Sequence, residues 1–306
     1  ILETANGADT VGSERLWDAT CRRINPLTPL KALPNVPTAH IAIQLNARGP
    51  CQTIATACIS GAQAVGEAYR LIKHGYADLM ITGAADSMVN SDGLMAFITL
   101  GVLSKNNAEW RTASRPFDRR RDGFVLGEGA AVFILESEDL VKKRSAVPHA
   151  EVVGYANTCD AFRLTDQPPD AWGCIQAMKL ALAEAKINAD QIDYINAHGT
   201  GTQMNDRTET LAIKAVFGNA APQIPISSTK SMIGHLVAAA GAVELAACVL
   251  SLRQQMIHPT INYEAPDPLC DLDYVPYIAR PAKMKHVLTN SFGFGGQNAS
   301  LIIKSV

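Results

Sequence analysis

Short β-branched or apolar runs give way to helical periodicity again and again from residue 52 onward, and that alternation confines the chain to an α/β architecture. The first passage reads TIATAC and then ISGAQAVGEAYRLIKHG. Residues 52–57 read as a strand, and Ala62, Val65, Ala68, Tyr69, Leu71 and Ile72 recur at helical spacing until His74-Gly75 stops the helix. DLMIT, residues 78–82, reads as a compact buried strand running into Gly83, which completes a strand–helix–strand unit. The preceding 50 residues are irregular, with prolines at 26, 29, 34, 37 and 50 and one short helix expected at 39–45.

A polar, charged stretch at 104–123 separates this unit from the next strand, FVLGEGAAVFIL at 124–135. Its Arg119, Arg120 and Arg121 read as a solvated face or as a receiver for an acidic partner. SEDLVKK then reads as a helix, and the break at Pro148 divides the chain into halves, 1–147 and 148–306. The second half repeats the grammar. Strands are expected at 151–156, 192–196, 224–227, 287–290 and 299–304, and helices at 172–186, 205–217 and 236–253. Ile175, Met178, Ala181 and Leu182 share one side of the first of these helices. Two halves of like grammar suggest an internal duplication, with sites at the carboxyl edges of the sheets.

Composition removes several function classes. A formal net charge of -2 with 18% charged residues leaves no electrostatic footprint for nucleic acid. The richest apolar stretch, LVAAAGAVELAACVLSL from Leu236, is short and holds Glu244, so it reads as a core helix and no membrane association is expected. Seven cysteines (Cys21, Cys51, Cys58, Cys159, Cys174, Cys248 and Cys270) form no CxxC pair and no zinc-spaced cluster. That pattern fits reduced thiols in a cytoplasmic compartment and no bound metal. GFGGQN lacks the Lys-Ser/Thr ending of a P-loop, and no G-x-G-x-x-G opens a helix after a first strand.

Three islands place a reactive residue beside glycine at an element boundary: TACISG with Cys58, NAHGTGT with His198, and SSTKSMIGH with Lys230 and His235. A helix N-terminus at Cys58 would favour the thiolate, although a lone cysteine there also reads as ordinary core. His198 sits where its ring can enter a crevice, with the Thr200 and Thr202 hydroxyls available to a polar ligand; as a loop residue bonded to backbone it would need no ligand. Glu244 is costly in a small-residue helix unless bonded. Asp206 and Glu209 read as partners for Lys230 or Arg207, or as the acidic first turn of a helix. Phe294, between glycines, either swings over a pocket or packs in the core. A cysteine and two histidines together suit covalent catalysis through a thioester.

In these motifs the chain resembles the β-ketoacyl-acyl carrier protein synthases of the thiolase-like superfamily, in their elongating Cys-His-His class. ARGP, TACISG, RPFDRRRDGFVLGEGA, NAHGTGTQMND, SSTKSMIGH, AAAGAVE, HPTINYE and NSFGFGGQN occur in the family's order across essentially the whole chain. The resemblance implies a duplicated five-layer αβαβα fold, with the nucleophile in the first half and both histidines in the second.

It also implies roles. Cys58 would take an acyl group from the phosphopantetheine arm of acyl carrier protein, with the Cys58 and Phe294 N–H groups as oxyanion hole. His198 and His235 would support decarboxylation of malonyl carrier protein. Lys230 would set the local charge and Glu244 would anchor the network. Thr200 and Thr202 would touch the pantetheine arm, Phe294 would gate the acyl pocket, and Phe97, Ile98 and Leu100 would line it. A homodimer or a ketosynthase heterodimer is implied, in fatty acid or polyketide-type synthesis. The alternative is a non-catalytic or chain-length-determining subunit of such a heterodimer. Family chains begin roughly a hundred residues earlier, and a core short of its first strands would leave apolar surface open. Ile59 and Gln297 depart from the smaller residue and the threonine usual at their positions.

Overall fold

The computed structural model describes residues 25, 27–31 and 33–306, so Cys21 and the beginning of the first half lie outside the described residues. The chain divides into two compact units at Thr53. The first contains helices α1 (Thr28–Lys31) and α2 (Val36–Leu45). Helix α2 begins three residues before its expected start, because Pro37 falls in the first turn, where a missing N–H costs no helical bond. It stops at Asn46 in left-handed conformation and buries none of its residues.

In the second unit the strand expected at 52–57 is absent: the chain runs irregularly into a 3-10 turn, Ala57–Ile59, and then α3 (Ser60–Lys73). Among the described residues no strand pairs with this segment, and an unpaired β-branched run has no ladder to join. Strand β1 (Leu79–Ser87) is longer than expected and runs antiparallel to β2 (Glu128–Glu136), from Leu79 opposite Glu136 to Ser87 opposite Glu128. It is not the buried strand the sequence suggested, for of its nine residues only Thr82 is buried. Helix α3 packs against this ribbon, yet Val132 and Ile134 of β2 remain 63% and 66% exposed. Between the strands, α4 (Ser91–Leu100) is capped by the Asn90 side chain and closed by Gly101. Residues 124–127 precede β2 rather than belong to it, and Phe124 and Leu126 make single bridges to Leu103 and His235. Helix α5 (Glu138–Lys143) follows, capped by Ser137.

The remaining chain builds a five-stranded mixed sheet. Its elements are β3 (Glu151–Cys159), α6 (Trp172–Ala185), β4 (Tyr194–Asn196), α7 (Gln203–Phe217), β5 (Ile226–Ser227), α8 (Lys230–Ile233) and α9 (Ala240–Gln254). A small ladder, β6 (Met256–Ile257) with β7 (Arg280–Pro281), precedes the hairpin of β8 (His286–Gly293) and β9 (Gln297–Lys304). The sheet order is β3-β9-β8-β4-β5, with β4 parallel to both β5 and β8. Asn196 aligns with Ser227 on one side and Thr289 on the other, so three chain segments leave the sheet at one edge.

Alternation along the strands assigns each face its own core. Leu288 and Ile302 join Met178, Ile195 and Ile213, whereas Val287, Leu301 and Ile303 join Val65 and Leu245. Both faces are therefore covered. Helix α9 crosses α3 through glycines: a Cβ on Gly61 would stand 2.8 Å from the Ala242 nitrogen, and one on Gly241 would stand 2.8 Å from the Ala62 nitrogen. The apolar stretch Val237–Gln254 is long enough to cross a membrane, and half of it is buried inside the protein. Glu244, at its middle, is bound within the core, as expected of a core helix. The six described cysteines are free, and no described group of acids, histidines and cysteines could hold a metal ion.

Candidate active site

The carboxyl ends of β4, β5 and β8 deliver His198, Lys230 and Phe294 to one place, and α3 brings Cys58 to meet them. Cys58 lies in the 3-10 turn that opens α3, 4% exposed, and Ala57 before it holds a left-handed φ of 49°. A non-glycine residue in that region carries backbone strain, here at the turn that aims the thiol. Ser60 braces the turn by accepting from the Thr56 N–H (2.9 Å) and donating to the Ala57 carbonyl (2.7 Å).

His235 Nε2 stands 3.2 Å from Cys58 Sγ. On the other side of this ring, Nδ1 accepts the Val237 N–H at 3.3 Å, which assigns the neutral imidazole's proton to Nε2. His198 reaches the same tautomer differently. The Lys230 ammonium, which can only donate, lies 3.2 Å from His198 Nδ1 and 2.6 Å from its carbonyl oxygen, so His198 also carries its proton on Nε2. The two rings are nearly perpendicular with centroids 5.3 Å apart. Burial, and then the Lys230 charge, hold both imidazoles well below the ordinary 6.5, so both are neutral donors.

Lys230 and Glu244 form an ion pair with both side chains 1% exposed. The second carboxylate oxygen of Glu244 has no hydrogen-bond partner among the described residues. Burial pushes the Glu244 carboxyl up to about 7 against the opposing pull of Lys230. The loop after β4 is tied down by α7. Glu209 accepts the N–H groups of His198 (2.9 Å) and Gly199 (2.8 Å), and Asp206 accepts those of Phe117 (2.7 Å) and Gly201 (3.1 Å). Thus neither acid pairs with Lys230 or Arg207, as the sequence had suggested. Their partners are backbone amides, together with Arg121 at 3.4 Å for Asp206 and Asn290 at 3.3 Å for Glu209. Arg121 itself is buried, not a solvated face: it also binds Asp267 at 2.6 Å, while Arg119 and Arg120 are exposed.

The expected thiolate is not the resting state. Burial pushes the Cys58 thiol up to about 11, against the Lys230 charge and the N–H groups of Phe294 and of Cys58 itself, which favour the anion. In a 3-10 turn sealed from water, desolvation outweighs the helix terminus. The Phe294 and Cys58 N–H groups, expected to form an oxyanion hole, both pull the thiol toward its anion. The Phe294 side chain is half-buried, and its turn is pinned from outside by Gly295 N–H to the Leu164 carbonyl (2.7 Å) and Asp160 N–H to the Gly296 carbonyl (2.6 Å).

Thr200 and Thr202 face each other with hydroxyls 3.0 Å apart, and the Thr202 oxygen also caps α7. Phe97 lies one ring away from the site, edge-on to Phe124 at 5.6 Å, which in turn is edge-on to His235 at 5.0 Å. Ile98 and Leu100 are 64% and 51% exposed. Sequence reasoning missed Phe124 and Asn290. Their signal, an aromatic in the FVLG run and an asparagine preceding SFGFGG, has no meaning until the fold brings Phe124 beside His235 and Asn290 beside Glu209.

The model for the β-ketoacyl synthase N-terminal domain matches residues 4–140, and that for the C-terminal domain matches residues 149–264. The chain is 43% identical to a 3-oxoacyl-[acyl-carrier-protein] synthase 2 of Synechocystis over 289 residues, which is 94% of this chain and 70% of that protein. It is 45% identical over 271 residues to the tetracenomycin polyketide synthase ketoacyl synthase alpha subunit of Streptomyces glaucescens, covering 88% and 64% of the two. Among solved structures, it superposes with TM-score 0.90 and 38% identity on AntDE:AntF, a type II polyketide acyl-carrier protein in complex with its ketosynthase, covering 92% and 70% of the two chains. A β-ketoacyl synthase from Burkholderia phymatum gives TM-score 0.88 at 35% identity, covering 97% and 73%.

Proposed function

The chain belongs to the β-ketoacyl synthase family of condensing enzymes, and from that premise we propose that Cys58 carries the acyl group in a decarboxylative Claisen condensation on acyl carrier protein. The observation that carries the reading is a buried thiol 3.2 Å from one neutral Nε2–H imidazole, His235, with the ring of a second, His198, 5.3 Å from the first.

In the first half-reaction Cys58 Sγ attacks the acyl thioester carbonyl. The oxyanion is held by the N–H groups of Cys58 and Phe294, and the thiol proton leaves with the departing phosphopantetheine thiol. In the second, the malonyl carboxylate departs as CO2 and its bonding pair becomes an enolate. His198 and His235 donate their Nε2 protons as hydrogen bonds to the enolate oxygen without transferring them. The enolate carbon then attacks the Cys58 thioester, and collapse releases the 3-oxoacyl carrier protein and a thiolate that takes up a proton from solvent. Lys230 keeps both imidazoles neutral and orients His198, and Glu244 balances the Lys230 charge in the interior. Thr200 and Thr202 contact the pantetheine arm, and Phe294 covers the acyl pocket.

Acyl carrier protein supplies the phosphopantetheine, and the chain pairs as a homodimer or a ketosynthase heterodimer. Both proposals rest on the kinship with ketosynthases solved with a carrier protein or a chain length factor. A cytoplasmic setting agrees with the free cysteines. Residues 1–147 then carry the nucleophile and 148–306 both histidines.

The test is intact mass and peptide mapping after incubation with acyl carrier proteins of graded chain length. One acyl group on the Cys58 peptide, discharged as 3-oxoacyl product when malonyl carrier protein is added, is the expected result. Folded, dimeric protein that accepts no acyl group overturns the nucleophile assignment in favour of a non-catalytic subunit.

A further inference from the structure

Behind Lys230 lies a buried polar cluster that the reaction scheme leaves unused. His258, in the loop after β6, places Nε2 3.0 Å from Tyr194 Oη, 3.1 Å from Thr229 Oγ1, 3.3 Å from Asn196 Nδ2 and 3.5 Å from Ser227 Oγ. Its Nδ1 faces the Pro259 carbonyl at 3.3 Å and Ser227 Oγ at 3.2 Å. An amide nitrogen can only donate, and the Pro259 carbonyl can only accept. Together they assign the Nδ1–H tautomer, with the Nε2 lone pair turned toward hydroxyl and amide donors. Burial holds the imidazole below 6.5, in agreement with that neutral form.

The residues gathered there are adjacent to the site. Thr229 immediately precedes Lys230 and sits at the N-terminus of α8. Asn196 is the last residue of β4, two before His198, and its amide also donates to Thr229 at 2.9 Å while its oxygen accepts from Thr289 at 3.2 Å. One acceptor therefore ties the end of β4 to the start of the Lys230 turn. These are the two segments across which Lys230 must meet His198.

We propose that His258 is a positioning residue for the condensation: its Nε2 clamps Thr229 and Asn196 together and so sets the distance between Lys230 and His198. The inference rests on the reading above that His198, together with His235, holds the enolate oxygen and that Lys230 orients His198. Loss of the clamp accordingly slows the malonyl half-reaction and spares acylation.

The experiment compares His258→Leu, His258→Gln and Thr229→Val in the full chain, measuring Cys58 acylation by mass and CO2 release from malonyl carrier protein, with His198→Ala as control. His258→Leu lowers kcat for CO2 release by about tenfold, the cost of a lost interior hydrogen bond, and leaves acylation within about twofold. Gln, whose side-chain oxygen stands in for Nε2, restores most of the rate, and Thr229→Val reproduces part of the Leu defect. Equal loss in both half-reactions, no loss in either, or Gln behaving as Leu overturns the clamp. Should His258→Leu fail to fold, Thr229→Val with normal CO2 release overturns it. If His198→Ala releases CO2 as fast as the parent, the reading of the active site fails rather than the clamp alone.

Discussion

Two of the molecule's sheets are written in similar letters and treated differently. In the five-stranded sheet, Leu301, Ile302 and Ile303 are all buried, because helices cover both faces. In the β1–β2 ribbon, Val132 and Ile134 alternate just as regularly and remain mostly in solvent. An apolar side chain is stabilised by what packs on it, not by its place in a strand. The reactive edge grows from the covered sheet, where Glu209 and Asp206 can hold loop amides without competition from water.

The comparison breaks most severely at Lys230. Lys230→Met strips the buried Glu244 carboxylate of its counter-charge and costs about 3–5 kcal/mol of stability in chemical denaturation. The doubly substituted Lys230→Met, Glu244→Met protein regains much of that loss while CO2 release stays abolished, which separates the fold's need for the pair from the reaction's.

The two sheets can be set against each other directly. Ile302→Ala leaves a cavity between two packed layers and costs about 2–5 kcal/mol, while Ile134→Ala on the open ribbon costs about 0.5 kcal/mol or less, read from urea midpoints. Equal costs would mean that another layer covers β2 in solution.

The smallest expected change is none. His198 and His235 keep a proton on Nε2 alone, so their ring-nitrogen resonances stay fixed as pH is lowered from about 8 to about 6. Stability is a poorer probe of the same point. Two histidines held low lose stability as pH falls below 6.5, because the unfolded chain binds the protons. Glu209 and Glu244, raised to about 7, act with the opposite sign, since there the folded state takes up protons first.

Much of this was legible in the linear chain. The α/β alternation, the hairpin around SFGFGG and the grouping of Cys58, His198, Lys230 and His235 at element ends all follow from local periodicity and turn chemistry. What misled was also local. TIAT has β-branched letters but no partner strand, DLMIT has apolar letters but no second layer, and Glu209 has a charge that found amides instead of a cation. Arg121 looked like part of a solvated run because its partners Asp206 and Asp267 lie far along the chain.

The sequence by itself determined which residues could react and which local turns would present them, because φ/ψ preference, side-chain period and glycine placement act over a few residues. Only the tertiary structure decided their protonation. The Cys58 thiol is raised rather than lowered, and the proton of each active-site histidine rests on Nε2. Desolvation raises the thiol against the Phe294 N–H, 236 positions from Cys58, and the His198 proton is placed by Lys230, brought in from another segment of the chain.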